Sequence, residues 1–193
     1  FMSQSIDSFT LLEATIEDIH AAYVAGSLTA RQLVEMYIER IEAYDRHGPQ
    51  INSVITVNPA VLGEADRLDV AFKNSGMEGP LHGIPVVIKD QADVKGTPTT
   101  LGSFLFKDYY PDRDCCVVEK LKDAGAIVLA KTTLGELGAG DTHGSLFGST
   151  RNPYDLERTV GGSSGGSGAA VSANFGSVGI GQEGLASIRR PST

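Results

Sequence analysis

Two short runs of unbroken apolar residues, Ile84-Pro-Val-Val-Ile88 and Ala126-Ile-Val-Leu-Ala130, set the first limit on the fold. Neither alternates polar with apolar, so each reads as a strand buried on both faces. Between them Asp114 can cap a helix that carries Val117, Val118 and Leu121 on one face and stops at Gly125. Strand, crossover helix, strand is the pattern of a parallel α/β sheet covered by helices. Chemistry in such sheets gathers beyond the carboxyl ends of strands, and Lys89 and Lys131 each fall at such an end. Lysine is also an ordinary way to finish a strand at a wet surface.

Ahead of these strands the pattern is helical. Thr15-Ile-Glu-Asp18 has the form of a capping box with Asp in place of Glu, followed by Ile19, Ala22 and Tyr23 on one face and a stop at Gly26. Thr29-Ala-Arg-Gln32 is a second box, and Leu33, Met36, Tyr37, Ile41 and Tyr44 then repeat at helical spacing until Gly48-Pro49. Asn58-Pro59 puts proline at the first position of a third helix carrying Leu62, Ala65, Leu68 and Phe72. The aromatic residues in these stripes read as core rather than as cofactor contacts.

Near the other end lies a stretch of different character. Nine of the 24 residues from Gly161 to Gly184 are glycine, with Ser163 set among them and Ser187 following between Ala186 and Ile188. Ser167 to Phe175 reads as a short packed helix and Ser177 to Ile180 as a short apolar strand. A helix of about nine residues runs roughly 14 Å, and an extended return of four to five residues covers about the same distance. Two serines 24 positions apart (187 − 163) can therefore return to one edge of the molecule. Backbone N–H groups ahead of a helix gather negative charge, which in acyl transfer is the oxyanion of the tetrahedral intermediate.

Other readings of this stretch are a flexible linker, a nucleotide P-loop and a nucleophile elbow. A linker would not run straight into an apolar helix and strand. The P-loop needs a Gly-Lys-Ser/Thr ending that is absent. Gly161-Gly-Ser-Ser-Gly165 satisfies G-x-S-x-G, but an elbow needs its histidine downstream, and His20, His47, His82 and His143 all lie upstream.

A formal charge of −8 and a pI near 4.9 argue against nucleic acid as a partner. No apolar run has the length of a membrane span, so no membrane partner is expected. The start, Phe1-Met-Ser-Gln-Ser-Ile-Asp7, has neither the basic end nor the apolar core of a signal peptide. Cys115 and Cys116 are adjacent and suggest no disulfide framework, which makes a reducing, cytoplasmic setting the expectation. A sequence that opens on Phe1 and stops at Pro191-Ser-Thr193 is expected to be part of a longer protein.

Gly79-Pro-Leu-His-Gly-Ile-Pro-Val-Val-Ile-Lys-Asp90, Gly125-Ala-Ile-Val-Leu-Ala-Lys-Thr132, Asn152-Pro153, Gly161-Gly-Ser-Ser-Gly-Gly-Ser167 and Ser187-Ile-Arg189 together resemble the amidase signature family. The likeness runs from roughly Thr15 to the last residue, in the family's order. It implies an α/β fold with a mixed, largely parallel sheet covered by helices, incomplete in this chain. Residues 1–193 would be the amino-terminal part of a single amidase domain, with 1–76 a helical lead-in and 77–193 part of the catalytic core. It further implies a Ser–cis-Ser–Lys triad: Ser187 the nucleophile, Ser163 the bridging serine entered through a cis peptide from Gly162, and Lys89 the base. The oxyanion hole would be the backbone of Gly184, Leu185, Ala186 and Ser187, with Asp90, Ser164, Glu183 and Arg189 in support. The chemistry stands on its own terms, because a serine needs a base and a buried lysine can be neutral enough to serve. Asp90 is then expected to turn away from the Lys89 ammonium, toward backbone N–H groups.

The chain departs from the family pattern Gly-Thr-Asp-Thr-Gly-Gly-Ser-Ile-Arg in reading Gly181-Gln-Glu-Gly-Leu-Ala-Ser-Ile-Arg189. Leu185 would be strained if its position demands positive φ, and Glu183 lengthens a supporting carboxylate. The expected function is hydrolysis of a small-molecule carboxylic amide with no cofactor and no metal, and the full-length protein is expected as a homodimer. The alternatives are an ammonia-supplying subunit of a tRNA-dependent amidotransferase, which needs a partner, and a non-catalytic fragment that binds an anion. Strands this apolar are also expected to leave apolar surface exposed when the visible helices cannot cover them.

Overall fold

The computed structural model describes residues 9–193, so the start of the chain, where no signal peptide was expected, lies outside the described residues. Helix α1 (Ile16–Ala25) carries the first capping box in full. Thr15 Oγ1 accepts from the Asp18 N–H at 3.1 Å, Asp18 answers the Thr15 N–H at 3.0 Å, and Gly26 closes the helix at φ 69°. Helix α2 (Ala30–Arg40) opens on the second box, between Thr29 and Gln32. Its stripe does not continue as α-helix: Ile41–Arg46 winds as a π-helix. The wider turn sends the buried Asp45 carboxylate to the Ser53 N–H at 2.6 Å and the Val54 N–H at 3.0 Å, which ties the helix end to the next strand.

That strand, β1 (Val54–Val57), is absent from the sequence reading. It has four residues, most of them half-buried, and no alternation to betray it. Helix α3 (Val61–Ser75) starts later than Asn58-Pro59 suggested. The Asn58 side chain is spent on the Ala60 N–H (3.0 Å) and the Val128 carbonyl (2.9 Å), which pins Pro59 in a turn before the helix. The Asp69 carboxylate of α3 accepts from the Ala30 and Arg31 N–H groups at 2.7 and 3.1 Å, giving α2 an N-terminal anion from its neighbour.

The expected strand–helix–strand unit is present as β2 (Pro85–Lys89), α4 (Cys116–Asp123) and β3 (Ile127–Thr132). Asp114 does not cap α4: its carboxylate takes the Lys95 N–H at 2.7 Å and the Lys122 ammonium at 2.7 Å, and Cys115 stands at the cap. Two small ribbons follow, β4 (His143–Gly144) with β5 (Gly148–Ser149) and β6 (Arg151–Asn152) with β7 (Asp155–Thr159). Helix α5 (Gly165–Ser172) is shorter than expected, because Asn174 at φ 57° turns the chain and drops Phe175 into the core. β8 (Val178–Ile180) completes the sheet.

The sheet order is β1-β3-β2-β8, with β3, β2 and β8 parallel and β1 antiparallel at one edge. Val87 and Leu129 face the side packed by α1, α2 and α3, while Val86, Ile88 and Val128 face Val94 and Val118 on the other. Both faces are therefore buried, which is why β2 and β3 read as unbroken apolar runs. Apolar side chains do stay in water elsewhere: Phe104, Leu105, Phe106, Tyr109 and Tyr110 are all exposed, Leu105 at 84%. Among the described residues no helix is long and apolar enough to cross a membrane.

Candidate active site

β2 delivers Lys89 at its carboxyl end, and the turn into α5 delivers Ser163 opposite it. Lys89 is 1% exposed and Ser163 likewise, with Lys89 Nζ donating to Ser163 Oγ at 2.8 Å. Ser163 Oγ in turn donates to Ser187 Oγ at 3.0 Å. The peptide bond between Gly162 and Ser163 is cis. α5 leads outward and β8 brings the chain back beside β2, so the glycine-rich stretch does return its second serine to the first. Ser164 N–H donates to the Ser187 carbonyl at 2.9 Å, a direct backbone tie between the two segments.

Close approach explains glycine at two positions here. A Cβ on Gly162 would stand 2.4 Å from the Gly140 carbonyl, and one on Gly166 would stand 2.3 Å from the Thr133 carbonyl. The first lets the serine-bearing turn lie on the 138–140 loop. The second lets α5 lie on the end of β3.

Burial pushes the Lys89 ammonium down to about 8, since a buried cation loses hydration that one hydroxyl acceptor does not make good. Asp90 does not counter this, because its carboxylate is taken elsewhere. It accepts from the Thr100 N–H at 3.0 Å and from the Thr100 hydroxyl, and it faces the Lys131 ammonium at 2.8 Å. The Thr100 N–H is the kind of backbone partner expected for it; Lys131 and the Thr100 hydroxyl are partners that its own neighbourhood in the sequence does not reveal.

Glu183 folds back on the segment that follows it. It accepts from the Ile188 and Arg189 N–H groups, both at 2.8 Å, and pairs with the Arg189 guanidinium. Those backbone bonds hold its carboxyl below the usual range. Arg189 also reaches the Leu185 carbonyl. Leu185 is not at positive φ, so the turn is shaped without backbone strain there, and its side chain is 82% exposed. Among the described residues, the N–H groups of Gly184, Leu185, Ala186 and Ser187 donate to no protein acceptor.

A cavity of about 430 Å³ is bounded by Gly138, Ala139, Gly162, Gln182, Leu185 and Ser187. A larger one, about 730 Å³, lies against α5 and Asn152-Pro153 but does not include Lys89, Ser163 or Ser187. Of the two, it is the smaller that holds Ser187. Gln91, whose side chain meets Gln182 at its rim, had no signal in the sequence. No group of three or more His, Cys, Asp or Glu side chains that could hold a metal ion gathers among the described residues.

Comparison with known proteins agrees with this architecture. The Amidase family model matches residues 32–193. The chain is 41% identical over 181 residues to a glutamyl-tRNA(Gln) amidotransferase subunit of Alkaliphilus metalliredigens, a match covering 93% of this chain and 36% of that one. It is 42% identical over 164 residues to the protein of the same name from Methanosarcina acetivorans, covering 84% of this chain and 33% of the relative. Among solved structures, native peptide amidase from Stenotrophomonas maltophilia superposes with a TM-score of 0.91 at 38% identity, over 94% of this chain and 38% of that one. The chain thus spans only about a third of the length of such relatives.

Proposed function

Because this chain belongs to the amidase family, we propose that it hydrolyses a carboxylic amide through a serine acyl-enzyme, as the amino-terminal part (1–76 lead-in, 77–193 core) of a single amidase domain. Ser187 is the nucleophile, Ser163 the relay and Lys89 the base. The observation that carries the reading is the line from buried Lys89 through buried Ser163 to half-buried Ser187, with links of 2.8 and 3.0 Å. With Lys89 charged, its N–H donates toward Ser163. Loss of that proton reverses the line, so that Ser187 donates to Ser163 and Ser163 to the Nζ lone pair. Ser187 Oγ then attacks the amide carbon while its proton passes to Ser163 and the Ser163 proton passes to Lys89.

The carbonyl oxygen takes up negative charge and is met by N–H groups of the 184–187 turn. Collapse of the intermediate expels the nitrogen, which leaves as ammonia or an amine with the proton returned from Lys89 along the same line. Water attacks the ester by the reverse sequence and frees the acid. A reducing, cytoplasmic setting suits the chain, whose Cys115 and Cys116 are both free.

A fluorophosphonate probe tests the reading. Ser187 is expected to displace fluoride and stay phosphonylated, and Ser187→Ala and Ser163→Ala are expected to lose the label. A folded protein that never labels would overturn the acyl-enzyme reading for this chain. A second reading, an ammonia-supplying subunit, is favoured by the likeness to amidotransferase subunits. Glutamine hydrolysis that appears only when partner proteins are added would select it.

A further inference from the structure

The mechanism uses Lys89 and leaves a second lysine, just as deeply buried, without a task. Lys131 lies at the end of β3, in register with Ile88, and is fully buried, as is Asp90. Its ammonium faces Asp90 Oδ1 at 2.8 Å, the Pro98 carbonyl at 3.1 Å and the Thr99 hydroxyl at 3.1 Å. The other Asp90 oxygen is held by Thr100, whose hydroxyl also accepts the Gly102 N–H at 3.2 Å. A buried pair of this kind adds little stability over an apolar pair of the same size, so its presence directs attention to what else it does.

We propose that Lys131 is a positioning residue for Lys89: it neutralises Asp90 and holds that carboxylate against the 97–102 loop, which leaves the neighbouring base without an acidic partner. The inference rests on the reading of Lys89 as the base. Successive residues of an extended strand face opposite sides, and the Asp90 backbone continues the ladder through its N–H bond to the Thr132 carbonyl at 3.1 Å. One residue along the chain, an unneutralised carboxylate would favour the charged form of Lys89 and cancel the effect of burial.

The other elements around Lys89 offer no substitute. The 97–102 loop brings hydroxyls, the turn into α5 brings Ser163 and Ser164, and α5 itself brings Ser167. The 182–190 segment brings Glu183 and Arg189, which are paired with each other, and Arg190, which is paired with Asp141. β3 brings Lys131 alone. The charge state next to the base is therefore set by one ion pair across β2 and β3.

The test reads the Lys89 proton directly. Lysine labelled with carbon-13 at Cε in the 193-residue protein gives one titrating resonance per side chain, and the Lys89 signal is assigned by its loss in Lys89→Ala. Lys131→Met leaves Asp90 without its cation and is expected to move the Lys89 titration up by about one pH unit. Asp90→Asn leaves Lys131 without its anion and is expected to move it down. Asp90→Asn combined with Lys131→Met is expected to return it to within about 0.3 unit of the parent.

Opposite shifts that cancel in the double variant establish the role, and either single variant gives the sign if the other fails to fold. A Lys89 titration that ignores both substitutions, or moves the same way in both, overturns it and leaves the pair a structural tie. The measurement does not depend on turnover. If Lys89→Ala keeps labelling by fluorophosphonate, the assignment of the base fails while the result on Lys131 stands.

Discussion

Lys89 is held in a form that costs the fold something and that the proposed mechanism needs. Its proton leaves near 8 in the folded chain, against about 10.4 in water. Below 8 the ammonium is present in both folded and unfolded chains, and burial penalises it only in the folded one. Between the two values the unfolded chain binds more protons, so this contribution to stability rises with pH. Lys89→Met is therefore expected to stabilise the protein by about 1–2 kcal/mol at pH 7. The gain should shrink toward pH 10, as denaturant midpoints across the pH range will show. The fluorophosphonate labelling rate is expected to rise with pH and reach half its plateau near 8, where the base becomes free. Lys89→Arg should remain unlabelled at every pH, because a guanidinium keeps its proton. Full labelling by that variant would remove Lys89 from the mechanism.

Among the elements, two glycines in helices make opposite cases. Gly63 lies in α3 at ordinary helical φ, and a Cβ there would meet nothing within 4 Å. Gly63→Ala is expected to stabilise by about 0.5–1 kcal/mol. Gly166 lies in α5, and its Cβ would strike backbone and hydroxyl of Thr133 at 2.3 Å. Gly166→Ala is expected to destabilise by at least about 2 kcal/mol and to part Ser163 from Lys89. Urea denaturation of both variants checks the pair. The same contrast explains what the sequence could tell. The caps of α1 and α2, the βαβ unit and the return between the serines rest on local chemistry and are legible. The π-helix at Ile41–Arg46, strand β1 and the late start of α3 are settled by Asp45 reaching Ser53 and Asn58 reaching Val128, contacts invisible along the chain. At the site, position alone offered Lys89 and Lys131 alike, and the likeness to the amidase signature family singled out Lys89 with the two serines. The tie of Asp90 to Lys131 and Thr100 does not, because it depends on the register of β2 against β3.

For the molecule as a whole, the exposed run of Phe104, Leu105, Phe106, Tyr109 and Tyr110 sets how the 193-residue protein behaves in solution. Apolar surface gathered in one loop binds hydrophobic dyes and promotes association. The folded protein is expected to enhance the fluorescence of anilinonaphthalene sulfonate, and Leu105→Ser with Phe106→Ser to cut that signal at least twofold without shifting the melting temperature. An unchanged signal would place the dye elsewhere. The order of the sheet carries a further consequence, in time rather than in space. β2 can pair with β3 as soon as β3 is made, but its other neighbour, β8, lies roughly 45 residues further on, which at about 5–20 residues per second means two to nine seconds of synthesis. Through that interval one edge of an apolar strand stands open beside the ribosome, offering its N–H and carbonyl groups to any other nascent chain. Crowded translation of this protein should therefore draw on chaperones that shield strand edges until Val178–Ile180 emerges and closes the gap.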